Sequence, residues 1–249
     1  MGAVATCGVD IVNGWIGTPG DRSRAGRLAR AAGATWSGWF LLGSQSTRLP
    51  VGYPSLGWLF VSSWPSAEER AGFRERGGLG VAIGRDSSAS LDLGPGLARS
   101  LYAGVQLDDD GWLERLPHGK SPDVSPLAVL TYARVNPRAA WRFQRLSNHV
   151  VVSARSAPGY IASAFATYVS APYLRLLTLT LWDRRTYSSR WAFNGDKHPE
   201  AMRWMLERPE RMPGGCVGRF PIAAAHGKLE GIDLPSRLAA SSLAESPAR

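Results

Sequence analysis

One histidine in this chain stands where it could hold a metal. Across Leu176 to Met205, read LLTLTLWDRRTYSSRWAFNGDKHPEAMRWM, an apolar strand ends in Trp182-Asp183 and runs into a helical segment that carries His198. A neutral imidazole on a helix over an apolar cavity is the usual protein ligand to haem iron, and its second nitrogen needs an acceptor that fixes the tautomer. Glu200, Asp196 or a main-chain carbonyl could be that acceptor. If the helix begins as early as Asp196, Ala201 and Met202 fall three and four positions after His198 on the same face, and Trp191 and Asn194 precede it at compatible spacing. Small, aromatic and thioether neighbours suit one face of a porphyrin. The same residues also read as plain structure, with His198 capping the helix beside Pro199 and with Trp191 and Met202 as core.

Arginines are the next candidates. Arg142 and Arg145 share a helix face in WRFQRL, and Arg134 and Arg175 lie in predicted strands. A buried guanidinium could pair with a propionate or polarise a bound ligand, while a solvated face explains most helix arginines equally well. Arg142 is the candidate for the cofactor and Arg175 for catalysis. His149, in SNHVV, is expected at a loop-to-strand junction, where an acid/base group could sit. His118 and His226 read as solvent-exposed. No histidine pair has the HExxH spacing of a zinc hydrolase, and neither RERGGLGVAIG nor GDRSRAG matches a phosphate loop or a dinucleotide fingerprint.

The elements that must position these residues come in two sets. Gly57 to Arg76, GWLFVSSWPSAEERAGFRER, repeats the grammar of the His198 region: an apolar strand, a terminal Trp64 and a polar helix start. Trp64 and Trp182 are 118 residues apart (182 less 64), too long a period for a solenoid and suited to a duplicated small α+β unit. The first half reads as strands at Ala3 to Val12, Trp36 to Leu42 and Leu56 to Ser63, with helices at Asp21 to Ala32 and Ser66 to Arg76, the second opened by Ser-x-x-Glu capping chemistry. Gly77 to Ala98 reads as a loop insertion, Leu101 to Leu107 as a further strand, and 108–125 as a linker. The second half reads as a strand at Leu127 to Val135, a helix opened by Pro137, strands at Tyr160 to Val169 and Tyr173 to Trp182, helices at Arg184 to Ala192 and Pro199 to Leu206, and a closing strand at Cys216 to Ile222. Two ferredoxin-like repeats, 1–107 and 126–226, with a disordered tail over 227–249, are thus expected to join edge to edge as one α+β barrel.

Composition narrows the function classes. The chain has 249 residues, 44% of them hydrophobic, and can bury a proper core. No run approaches the roughly 18 to 20 apolar residues that span a bilayer, and MGAVATCGVDIVNGW lacks the form of a signal peptide, so a cytoplasmic protein without stable membrane insertion is expected. Cys7 and Cys216 are the only cysteines, which leaves no disulfide framework or Cys-rich zinc site. A net charge of +9 invites a nucleic-acid reading. Yet only Lys120, Lys197 and Lys228 of the 29 basic residues are lysines, and the 26 arginines are dispersed among Asp and Glu; a basic pocket for carboxylates is the better implication, and nucleic acid is not an expected partner. Ten tryptophans, mostly in predicted core elements, could also line the large apolar cavity that a haem or a polyene requires.

PLAVLTYARVNPRAAWRFQRL and LTLTLWDRRTYSSRWAFNGDKHPEAMRWM, with GWLFVSSWPSAEE and WFLLGSQS, resemble the spheroidene monooxygenase (acyclic carotenoid ketolase) family. That family belongs to the dimeric α+β barrel superfamily, with haem-binding chlorite dismutase, aldoxime dehydratase and small antibiotic-biosynthesis monooxygenases. The resemblance covers most of Trp36 to Phe220. It implies a haem b enzyme, with His198 on the histidine that follows the Phe and Gly of the family's last-helix motif. The family's basic residue before its first Gly-Ser turn is replaced in Trp39-Phe40-Leu41-Leu42-Gly43-Ser44, which implies a changed distal pocket and substrate. The leading expectation is a haem-dependent monooxygenase of secondary metabolism acting on a small apolar or aromatic substrate, with an electron donor and a second copy of the chain as candidate partners. A haem-dependent dehydratase or nitrogen-bond-forming enzyme, a cofactor-free monooxygenase, and a non-catalytic haem- or hydrophobe-binding protein stand as alternatives.

Overall fold

The computed structural model describes residues 6–13, 19–43, 54–84, 87–100, 126–170 and 173–243. Alternating apolar residues dictate the first four strands: β1 (Thr6–Asn13), β2 (Trp36–Gly43), β3 (Pro54–Trp64) and β4 (Ala89–Leu93). They pair antiparallel in the order β4-β1-β3-β2, the ferredoxin-like order, under helices α1 (Pro19–Ala31), α2 (Ala67–Glu75) and the short α3 (Gly78–Ile83). A short β5 (Leu97–Ser100) follows. The second half repeats the plan with β6 (Leu127–Val135), α4 (Pro137–Arg155), β7 (Tyr160–Ser170), β8 (Tyr173–Trp182), α5 (Arg185–Asn194), α6 (Lys197–Leu206) and β9 (Gly214–Leu229), in the order β9-β6-β8-β7. The chain is therefore α+β, two ferredoxin-like repeats in one barrel.

Two seams close that barrel. Leu41 to Gly43 of β2 pair with Phe165 to Thr167 of β7. The 16-residue β9 works on both sides, pairing with β6 through Gly214–Pro221 and with β4 through Ile222–Gly227. No β4 or β6 edge is then left to template aggregation. One face of every barrel strand points inward, and Val9, Leu59, Leu130, Leu179 and Phe220 meet there in a continuous core. The outward faces carry the helices, around Trp64 in the first half and Trp182 in the second.

The equivalence of these tryptophans extends to detail. Trp64 Nε1 donates to Ser62 Oγ and Trp182 Nε1 to Thr180 Oγ1, both at 2.9 Å. Phe73 packs on Trp64 and Trp191 packs on Trp182, each with ring centroids 5.2 Å apart. Helix starts also follow the local chemistry: Ser66 Oγ accepts from Glu69 N at 3.2 Å, and Asn136 caps α4 ahead of Pro137.

Three expectations are corrected. The segment Gly77 to Ala98 is not a loop: left-handed Gly77 and Gly84 bracket α3, and ASLDL is β4, an integral strand. Its Ser90 and Asp92 look like loop composition but face α2, where Arg70 binds both. The tail over 227–249 is ordered through Leu243 as the end of β9, β10 (Ile232–Asp233) and α7 (Leu234–Leu243). Leu234 and Leu238 are buried, and Asp183 holds Arg237 at 2.9 Å. His149 is not at a loop-to-strand junction, because α4 continues to Arg155, with Gln144 bonded to Asn148 and Val151 buried. The strand expected at Leu101 to Leu107, the linker 108–125 and its His118 lie outside the described residues. Cys7 and Cys216 are buried free thiols, and burial pushes the Cys7 thiol up. Among the described residues no helix is long and apolar enough to cross a membrane.

Candidate functional site

A cavity of about 600 Å³ lies between the outward face of the second half-sheet and helices α4, α5 and α6. Strand alternation builds its floor: Thr131 and Ala133 on β6, Thr178 and Thr180 on β8, Val217 and Arg219 on β9. Leu130, Leu177 and Leu179, their chain neighbours, point the other way into the barrel. The roof is apolar, with Phe143 from α4, Trp191 from α5 and Met202 and Trp204 from α6. Phe193 is largely exposed while lining the same space, which marks the mouth.

His198, in the first turn of α6, lines this cavity. Its ring packs on Trp191, centroids 4.8 Å apart, and Trp191 is itself pinned by Nε1 donating to Ser153 Oγ at 3.2 Å. His198 Nδ1 lies 2.8 Å from the Ala192 carbonyl oxygen, which can only accept, so Nδ1 carries the proton and Nε2 keeps its lone pair. A main-chain carbonyl thus fills the acceptor role, rather than Glu200 or Asp196. The break at Asn194-Gly195 makes this contact: α5 ends, and α6 returns His198 under the last turn of α5. Burial holds the His198 pKa below its ordinary value, partly opposed by the bond to Ala192. The imidazole is neutral at neutral pH.

The structure brings together His198, Trp191 and Met202 and disperses the rest. Asn194 is exposed and outside the cavity lining. Arg142 is exposed, with its guanidinium carbon 5.4 Å from the centre of the Trp204 ring, so it braces the cavity wall without lining it. His149 is exposed on α4 and also outside the lining. Arg175 does not share the His198 cavity. It has the parity of Leu177 and Leu179, opposite to Thr178, and lines a second cavity across the sheet.

Two cavity residues, Arg219 and Ser188, escaped sequence reasoning, and a third, Trp204, was read only as one of the tryptophans that could line a cavity. Arg219 is the guanidinium among the described lining residues, which include no carboxylate; its signal was the alternation Val217, Arg219 in a strand read only as closing the set. Trp204 is buried, with Nε1 lacking a hydrogen-bond partner among the described residues. Ser188 is buried on α5, where a serine in a helix gives no sequence signal at all.

The first half places different residues at the equivalent positions of its sheet and helix layer. Its counterparts of Thr131 and Ser188, by strand register and by the 118-residue offset, are Asp10 and Arg70. Arg70 is 2% exposed and reaches Asp10 at 2.7 Å and Asp92 at 3.0 Å. Gly8 makes room for it, since a Cβ there would sit 2.4 Å from Arg70 Nε. An ion-pair network and Phe60 fill the volume that the second half leaves open.

No protein-family model and no curated protein sequence matches this chain. Solved structures do. An aldoxime dehydratase is similar over 93% of this chain and 87% of its own, at 8% identity and a TM-score of 0.52. An aldoxime dehydratase in complex with butyraldoxime is similar over 88% and 79%, at 8% identity and 0.51. A monooxygenase-like protein of Listeria innocua aligns over 87% and 94%, at 9% identity and 0.31. At these identities the likeness is one of fold, the ferredoxin-like α+β barrel, and membership of the spheroidene monooxygenase family does not follow from it.

Proposed function

We propose that the cavity of the second half binds haem b, which His198 would hold through its iron, and that the chain is a haem-dependent enzyme, a monooxygenase, acting on a small apolar or aromatic substrate. One observation carries this reading: a neutral histidine, its tautomer set by the Ala192 carbonyl at 2.8 Å, lines an apolar cavity. The volume of about 600 Å³ falls within the roughly 300–1,000 Å³ of cofactor and ligand sites. The walls of Phe143, Trp191, Met202 and Val217 match a porphyrin's apolar faces. Arg219 and the orphaned Trp204 Nε1–H supply donors for anionic or carbonyl oxygens. The resemblance of the LTLTLW…KHPEAM segment to the spheroidene monooxygenase family, which implies a haem b enzyme, supports the same assignment.

Haem, when bound, supplies iron for oxygen activation or for rearrangement at a ligated heteroatom. The chain's own residues bind, orient and exclude water. The Ala192 carbonyl raises the basicity of His198 Nε2 by accepting from Nδ1. Thr131 and Thr178 offer hydroxyls on the sheet side, across the cavity from the helix that carries His198. Phe193 at the mouth favours entry of an apolar substrate.

The test is the visible spectrum of protein purified from cells supplied with haem precursor, compared with His198→Ala. A Soret band lost or shifted in the variant supports the ligand assignment. An unchanged spectrum and haem occupancy in His198→Ala would falsify it, and a colourless wild type that takes up no added haemin would favour the cofactor-free monooxygenase reading.

A further inference from the structure

We infer that the second cavity, across the sheet from His198, is a binding site for a small aromatic anion, a flat ring carrying a phosphate or carboxylate. It lies between α1 and β2, encloses about 690 Å³, and is lined by Arg22, Arg27, Arg30 and Arg175 together with Trp36 and Trp39. No carboxylate occurs among its described lining residues. The three guanidiniums from α1, Arg22, Arg27 and Arg30, share one such volume, where an anion would relieve their mutual repulsion.

Arg22 is the most committed of the four. Its guanidinium carbon lies over the Trp58 ring, 4.3 Å from its centre, and its Nη1 is buried with no hydrogen-bond partner among the described residues. A buried charged donor without a partner costs free energy that an anionic oxygen would recover. Beside it, Trp36 lies across Gly38, where a Cβ would come within 2.6 Å of the indole. Trp39 is fixed by Nε1 donating to the Arg22 carbonyl at 3.1 Å. Two indoles held beside a cationic cluster recognise a flat ring and its charge together. Alternation along β6 and β8 separates this site from the His198 cavity: Tyr132 and Arg175 face it, whereas Thr131 and Thr178 face the other. The inference does not depend on haem.

Isothermal titration with 1-naphthyl phosphate and 1-naphthoate at low ionic strength tests it, with neutral 1-naphthol as the control. At least one anion should bind, weaken as salt is raised, and exceed 1-naphthol by about tenfold or more. In Arg27→Ser/Arg30→Ser, both exposed helix positions, anion affinity should fall by about tenfold with the thermal midpoint preserved. Phe193→Ser, at the mouth of the other cavity, should leave it within about twofold, a free-energy difference well under that of a single hydrogen bond. The inference is overturned if neither anion binds, if 1-naphthol binds as tightly, or if the helix α1 variant binds like the wild type.

Discussion

Replacing Arg70 by Met measures how the first half fills the space that the second half leaves open. Arg70 donates to Asp10 at 2.7 Å, to Asp92 at 3.0 Å and to Ser90 at 3.1 Å, all beneath α2. Asp10 has a side-chain exposure of 5% and Asp92 of 15%, so the substitution strands two carboxylates where water reaches them poorly. Breaking a buried pair in this way costs about 3–5 kcal/mol, because the remaining charges keep their desolvation penalty. Asp92 also retains Arg74, which places the expected loss near the lower end, about 3 kcal/mol. At about 2–4 °C per kcal/mol for a chain of this size, the melting midpoint should fall by roughly 6–12 °C. Urea unfolding followed by tryptophan fluorescence reads the change as a lower midpoint at unchanged slope. The companion variant Arg70→Met/Asp10→Asn/Asp92→Asn removes the stranded charges and should recover about half of the loss or more. A loss under about 1 kcal/mol in Arg70→Met, or a triple variant less stable than the single one, would refute the network as the element that fills this half.

Other perturbations follow from single contacts. Gly159→Ala should cost about 1–3 kcal/mol in urea unfolding, because Gly159 has φ 73° and a Cβ would meet Tyr187 Cδ2 at 2.1 Å. Because the folded pKa of His198 is depressed by burial, its contribution is fully present above the unfolded value of about 6.5 and is lost as pH falls through the folded value; the wild type should lose more stability than His198→Gln between pH 7 and pH 5, and equal losses would contradict the buried, neutral state. Glu230→Gln weakens a latch in which Glu230 accepts from the Tyr160 hydroxyl at 2.8 Å and from Ser163 N at 2.9 Å and pairs with Arg155. The loss should be about 1 kcal/mol after solvent screening. The Tyr160 phenol, pushed up to about 12 chiefly by burial and further by Glu230, should then titrate earlier by phenolate absorbance.

What the sequence revealed and what it hid have physical causes. The duplication was legible because an apolar strand ending in tryptophan is a rare local pattern, and the 118-residue offset from Trp64 to Trp182 carries over to Phe73 and Trp191. His198 was legible for a similar reason: histidine is scarce here, and this one follows a helix break. Strand β4 was hidden because Ser90 and Asp92 are satisfied by a partner on α2, and no local pattern predicts a tertiary ion pair. Arg175 was expected in a strand, but which face it takes depends on alternation, and it lies on the face opposite to Thr178. Arg219 was overlooked, and Trp204 was not singled out from the other tryptophans, because their places come from what they face across the fold, β9 against α6, and not from their neighbours in the chain.

The two halves share a backbone plan and differ in what fills the layer between sheet and helices, so a site of this kind should close when the second half is given the first half's residue. Phe60 faces Asp10 across β1 and β3, and Thr178 faces Thr131 across β6 and β8; Phe60 and Thr178 are the same position in the two repeats. Phe60 is fully buried, with its ring 4.7 Å from that of Trp39, whereas Thr178 forms part of the cavity floor. In Thr178→Phe the ring enters the cavity, replaces empty volume with dispersion contacts and leaves the bond from Trp182 Nε1 to Thr180 in place. Cavity filling of this sort adds about 0.5–2 kcal/mol. The variant should therefore unfold at higher urea than the wild type in the absence of ligand while losing uptake of haemin or of any apolar ligand that the wild type takes. Stability and binding must move in opposite directions: a variant that is destabilised, or that binds as before, would mean that the second half's open layer is not the binding site.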